Sequence, residues 1–169
     1  MNPKRDGFLN VGILGCGPIA QAGHLESVTK ARNTRLFAIC DIAEDLVARC
    51  AITHGAETCF DSYEQMLADP KLDAVIIAIA DAFHVPATLQ ALAAGKHVLC
   101  EKPLGVTLEE VEALGKAVAE SGLKLQVGHM KRFDPGLQSA REFIGSEMGE
   151  MLAFKAWYCD STHRYAMTD

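Results

Sequence analysis

No apolar run in this chain approaches the about 20 residues that a membrane-spanning helix needs. The longest is Ala74–Ala80. No secretory-type leader opens the sequence, no segment is of low complexity, and no motif recurs at a fixed period. Membrane association and repeat architectures are therefore not expected, and a cytoplasmic location is. The six cysteines, Cys16, Cys40, Cys50, Cys59, Cys100 and Cys159, form no C-x-x-C pair. That removes both a zinc ribbon and a thioredoxin motif, and no metal site is expected. Most of them lie in apolar runs, so buried, reduced thiols are expected. An excess of positive charge is also missing. The formal net charge is −6 and the 16 Lys and Arg residues are scattered, which argues against a nucleic-acid surface.

What remains is 169 residues, 49% of them apolar, enough for one full domain and part of another. Met1–Gly7 is polar, carries Lys4 and Arg5, and reads as a short disordered lead. Beyond it, apolar runs alternate with helical patterns. Strands are expected at Leu9–Leu14, Arg35–Cys40, Glu57–Phe60, Ala74–Ala80, His97–Cys100 and Leu125–Gly128. Helices are expected at Ile19–Lys30, Glu44–His54, Ser62–Ala68, Val85–Ala94 and Leu108–Ser121. Asp61-Ser62 and Thr107 stand where helices should start; Gly55, Gly95 and Gly122 stand where they should end. Such alternation predicts an α/β fold, a doubly wound parallel sheet over residues 1–128. The pattern then changes. Pro135–Ile144 reads as a helix ended by Gly145, and Glu150–Tyr158 alternates like a strand. A lone strand has no sheet of its own, so residues 129–169 read as the start of an incomplete second domain.

The first strand runs into Gly15-Cys16-Gly17-Pro18-Ile19-Ala20. Gly15 permits a tight turn, Gly17 allows backbone to approach a pyrophosphate, and the small Ala20 allows close packing of helix on strand. Pro18 and Ile19 lie in the same turn, at a helix start whose free N–H groups suit phosphate. Asp41 closes the second strand. It is placed to accept hydrogen bonds from a ribose diol and to repel a 2′-phosphate, which favours NAD over NADP. A second role is open to it, capping the helix that follows.

Other residues at strand carboxyl ends face the ligand crevice of such a sheet. After the fifth strand come Glu101, Lys102 and Pro103. Lys102 could hydrogen-bond a substrate hydroxyl and stabilise its oxyanion, or it could sit in a solvated turn. Pro103 could take the cis form. After the fourth strand come Ile79, Ala80, Asp81 and His84. The backbone there would line the cofactor path, and His84 would either face the cofactor or hold backbone. His129, after the sixth strand, reads more readily as structural.

The glycine turn, Val75–Ala78 leading to His84, the run Ala94–Leu104 and Arg132-Phe133-Asp134-Pro135 together resemble the Gfo/Idh/MocA oxidoreductases. The resemblance covers residues 9–158. It implies a Rossmann domain that binds NAD and, behind it, an α+β open-faced sheet domain that binds sugars, cyclitols or related polyols. It also implies a catalytic Lys102 with Glu101 near the cofactor, and association into a homo-oligomer. The chain departs from the family at Ala80 and Asp81, where members usually carry proline and asparagine. Asp160-Ser161-Thr162-His163 does not match the family's aspartate–histidine motif, so His163 is assigned no role. A binding or regulatory module of the same fold, without turnover, is the rival reading.

Overall fold

The fold follows from burying both faces of a parallel sheet, whose strands must then be apolar on each side. In the computed structural model, which describes residues 7–157 and 159, six parallel strands form one sheet. They are β1 Leu9–Leu14, β2 Thr34–Cys40, β3 Thr58–Phe60, β4 Ala74–Ile77, β5 His97–Cys100 and β6 Leu125–Val127. Their order is β3-β2-β1-β4-β5-β6, that of a doubly wound dinucleotide-binding sheet.

Successive side chains of one strand serve opposite cores. Val11 and Ile13 of β1, with Ile76 and Ala78 around the end of β4, face helices α1 Leu25–Lys30 and α2 Glu44–His54. Leu14, Val75 and Ile77 face α3 Tyr63–Ala68, α4 His84–Ala93 and α5 Leu108–Ser121. Ile13, Ile39 and Ile77 have no exposed surface; each such side chain contributes about 1.5–3 kcal/mol of burial. Lys96 is buried with them, its ammonium donating to the carbonyls of Asp69 and Leu72, both at 2.9 Å. Burial holds that ammonium below the ordinary lysine value.

The helix boundaries are set by local chemistry. Ser62 caps α3 by accepting from Gln65 N–H. Thr107 and Glu110 form a reciprocal capping box on α5. Gly55 and Gly122 terminate α2 and α5 in the left-handed conformation.

Several expected boundaries move. The fourth strand ends at Ile77, not Ala80. Its neighbours β1 and β5 end in register with it, at Leu14 and Cys100, so no ladder partner remains. The helix expected from Ile19 begins as a π-helical turn, Ala20–His24, and becomes α-helical at Leu25.

The chain divides into two compact units, the first ending at His129 and the second starting at Met130. The second contains helix α6, Pro135–Ser146, with Pro135 in its first turn and Asp134 capping Gly136 and Leu137 N–H. Gly145 does not end α6; the left-handed residue is Gly149. The strand expected at Glu150–Tyr158 is not formed over the described residues 150–157, which are exposed and unpaired. Among the described residues none supplies the ladder partner that a strand requires. Tyr158, the lead Met1–Asp6 and the Asp160–His163 motif lie outside the described residues.

Thr107→Ala is expected to cost about 1 kcal/mol. Urea unfolding should show this as a lower midpoint at unchanged slope; an unchanged midpoint would show that the capping box contributes nothing.

Candidate functional site

Where β1 and β4 end side by side, the winding of the sheet reverses and a crevice opens at their carboxyl ends. Gly15 turns there with φ +94°, and a Cβ on it would collide with the Ala78 carbonyl and lie 2.9 Å from Ile79 Cγ2. Both demands exclude any other residue. At Gly17 the reason is different. A Cβ there would meet no atom within 4 Å, so internal packing does not require glycine. What glycine leaves is open backbone beside the start of a helix, the cradle a pyrophosphate needs. Pro18 and Ile19 are exposed on the outside of this turn, and Ala20 is fully buried beneath it. Gln21 folds back so that its side-chain amide donates to the Cys16 carbonyl at 2.8 Å.

Asp41 stands against the same turn. One carboxylate oxygen accepts from Cys16 N–H at 2.6 Å and the other from Ala43 N–H at 2.9 Å. It does not cap α2, because Ala43 is itself the residue preceding the helix. Each carboxylate oxygen carries a second lone pair, so the group keeps acceptor capacity for a diol. Asp41, Glu44 and Asp61 line a cavity of about 390 Å³ with Val47, Ala48 and Phe60.

On the other side of the crevice, Ile79 is half-buried, while Ala80 and Asp81 are exposed at the start of a short 3-10 turn, Asp81–Phe83. His84 does not face outward. It is 1% exposed, with Nδ1 2.6 Å from the Pro103 carbonyl and Nε2 3.0 Å from the Ile79 carbonyl. Of the two roles open to His84, the structure shows the backbone one, joining the loops after β4 and β5. The Lys102–Pro103 peptide is cis. Lys102 is exposed. Glu101 is turned inward, one oxygen 2.9 Å from His24 Nε2 and the other accepting Lys102 N–H at 3.2 Å. Its carboxylate braces the turn that carries Lys102. His129 is exposed.

Neither His24 nor Gln21 was among the residues picked out from the sequence. No local pattern marks them. Gln21 looks like an ordinary helix residue, and His24 acquires meaning only from Glu101, which is 77 positions away.

The family model for the oxidoreductase family with an NAD-binding Rossmann fold, Gfo/Idh/MocA, matches residues 9–129. The chain belongs to this family. It is 34% identical to inositol 2-dehydrogenase 2 of Saccharopolyspora erythraea over 165 residues, 95% of this chain and 48% of that protein. Among solved structures it resembles scyllo-inositol dehydrogenase from Lactobacillus casei with bound NAD(H) and scyllo-inositol. The TM-score is 0.78 at 29% identity, covering 82% of this chain and 41% of the other. A 3-ketoreductase from Actinomadura kijaniata in complex with NADP and TDP-benzene gives a TM-score of 0.77 at 29% identity, covering 82% and 42%. The chain spans between 40% and 48% of the length of the curated relatives it matches.

Among the described residues no cluster of His, Cys, Asp or Glu is placed to hold a metal ion, and no helix is long and apolar enough to cross a membrane. Cys16, Cys40, Cys50 and Cys100 are buried. Burial, then the neighbouring Cys50 and Asp41, push the Cys16 thiol up to about 12. Burial pushes Cys40 and Cys100 up to about 11. Cys59, on the edge strand β3, and Cys159 are exposed.

Ellman's reagent at pH 8 should therefore react rapidly with Cys59 and Cys159 alone, and with all six thiols once the chain is unfolded. A rapid third thiol in the native chain would contradict the packing around Cys16.

Proposed function

We propose that this chain is the NAD-binding part of a dehydrogenase that acts on a carbinol carbon of a sugar, cyclitol or related polyol. The observation that carries it is the meeting of an open Gly17 backbone with the Asp41 carboxylate across one turn. Nothing in the fold needs glycine at 17, whereas a dinucleotide needs room for its pyrophosphate and an acceptor for its ribose. The polyol substrate is supported by the relatives, which include inositol and scyllo-inositol dehydrogenases. NAD is favoured over NADP because Asp41 places a carboxylate at the ribose position, with Glu44 and Asp61 beside it. Negative charge there opposes a 2′-phosphate.

When bound, the nicotinamide ring supplies the carbon that accepts hydride. The chain's own residues position and polarise. The backbone N–H groups of Gly17, Ile19 and Ala20 would face the phosphates, those of Gly15 and Cys16 being taken by Cys40 and Asp41, and Asp41 would accept from the ribose hydroxyls. The backbone of Ile79, Ala80 and Asp81 flanks the crevice. Lys102 would donate from Nζ to the substrate oxygen, orienting it and stabilising the partial negative charge that develops there. His84 and Glu101 hold that lysine's turn. Residues 130–169 begin the substrate-binding part.

Titration of the chain with NADH should give a saturable rise in nicotinamide fluorescence, with NAD⁺ competing more strongly than NADP⁺. Absence of saturation at millimolar NADH would remove the proposal. Asp41→Asn keeps an acceptor for a loop N–H and removes the charge. It should narrow the NAD⁺ to NADP⁺ preference by about tenfold, the effect of 1.4 kcal/mol. An unchanged ratio would mean that Asp41 does not face the ribose.

A further inference from the structure

The Lys102 turn is tied to the glycine-turn helix through a hydrogen bond between His24 and Glu101. His24 ends the π-helical turn Ala20–His24. Such turns insert a residue into the helical register, are rare, and recur at functional sites because they change which side chain meets the neighbouring element. Here the side chain so delivered is an imidazole whose Nε2 lies 2.9 Å from Glu101 Oε1, with the two side chains only 16% and 13% exposed. A carboxylate offers only acceptors, so Nε2–H is the donor. The other Glu101 oxygen accepts the backbone N–H of Lys102 at 3.2 Å, and Glu101 N–H donates to the Ile77 carbonyl at 2.9 Å. The carboxylate lies against Gly128 at the end of β6, where a Cβ would stand 3.0 Å from Oε1 and 3.2 Å from Oε2. Glu101 is thus confined on three sides, by His24, by its own neighbour and by β6.

We propose that His24 is a positioning residue. Acting through Glu101, it fixes the backbone of Lys102 relative to the helix that receives the pyrophosphate, so the nicotinamide end of a bound dinucleotide depends on the pair and the adenosine end does not. This inference rests on the cofactor reading given above. The adenosine end is held by Asp41, which shares no hydrogen-bond partner with His24 or Glu101. A separate response of the two halves is what distinguishes positioning from general support of the fold.

The test compares NADH with ADP-ribose, which lacks only the nicotinamide, by calorimetry on the full chain. His24→Ala is expected to weaken NADH by about tenfold, the scale of one charge-assisted hydrogen bond. ADP-ribose should stay within about twofold of the parent chain, a change of under 1 kcal/mol. His24→Gln, whose side-chain amide also donates, should restore the NADH affinity. Should His24→Ala fail to fold, Glu101→Gln takes its place and should lower NADH affinity selectively in the same way. An unchanged NADH to ADP-ribose ratio in these variants overturns the inference and leaves the cofactor reading standing. Equal weakening of both ligands also overturns it, since the pair would then only support the fold. If the parent chain binds neither ligand, both proposals fall together.

Discussion

Everything at the crevice depends on how closely two parallel strands can end beside one another. β1 and β4 are neighbours in the middle of the sheet, and Leu14 pairs with Ile77 at the last rung. Past that rung the chain after β1 must turn away without striking the chain after β4. Gly15 makes this possible, because its missing Cβ is the space that the Ala78 carbonyl occupies. A larger residue would force the strands apart at their carboxyl ends, and with them the loops that carry Asp41, Ile79 and Lys102. The sheet order creates the crevice; the glycine sets its width.

The second constraint is polar. Loops at the end of a buried sheet carry backbone carbonyls that need partners. Here one histidine meets that need and a second ties a loop through a carboxylate. His84, buried at the start of α4, faces the carbonyls of Ile79 and Pro103 and so binds the two crevice loops to each other. His24 engages Glu101 and binds the second of those loops to the first helix. Lys102 lies between the two attachments, on an exposed turn braced from inside and from the side. A side chain meant to meet a reacting oxygen gains from such support, because groups that are held in advance need little reorganisation.

The sequence discloses these layers unequally. Strand and helix positions follow from apolar periodicity and from caps such as Thr107 and Gly122, which act within a few residues of themselves. All six strands and the first five helical segments are legible for that reason. Gly15, Gly17 and Asp41 are legible because the motif is local at each end and joined by one crossover. His24, Gln21 and the inward turn of Glu101 are not, since their meaning depends on contacts between elements far apart in the chain. His84 was half legible: its place at a helix start can be read, but burial chose between its two roles. The segment 150–157 shows the opposite error. Its run of apolar and aromatic residues suits a strand, yet pairing needs a neighbour that composition cannot supply.

Asp41 shows why cofactor choice and loop geometry cannot be separated here. The carboxylate that would receive a ribose diol already accepts the N–H groups of Cys16 and Ala43. Those two donors orient it and leave its remaining lone pairs outward. The same bonds hold the glycine turn against β2, together with the Gly15 N–H that donates to the Cys40 carbonyl at 2.8 Å. A basic residue at 41 would attract a 2′-phosphate, but it would also release Cys16 N–H from its partner. A change of preference toward NADP therefore requires a replacement acceptor for that N–H as well as a new charge, so more than one residue must change. That coupling ties the identity of the acid to the shape of the turn it faces.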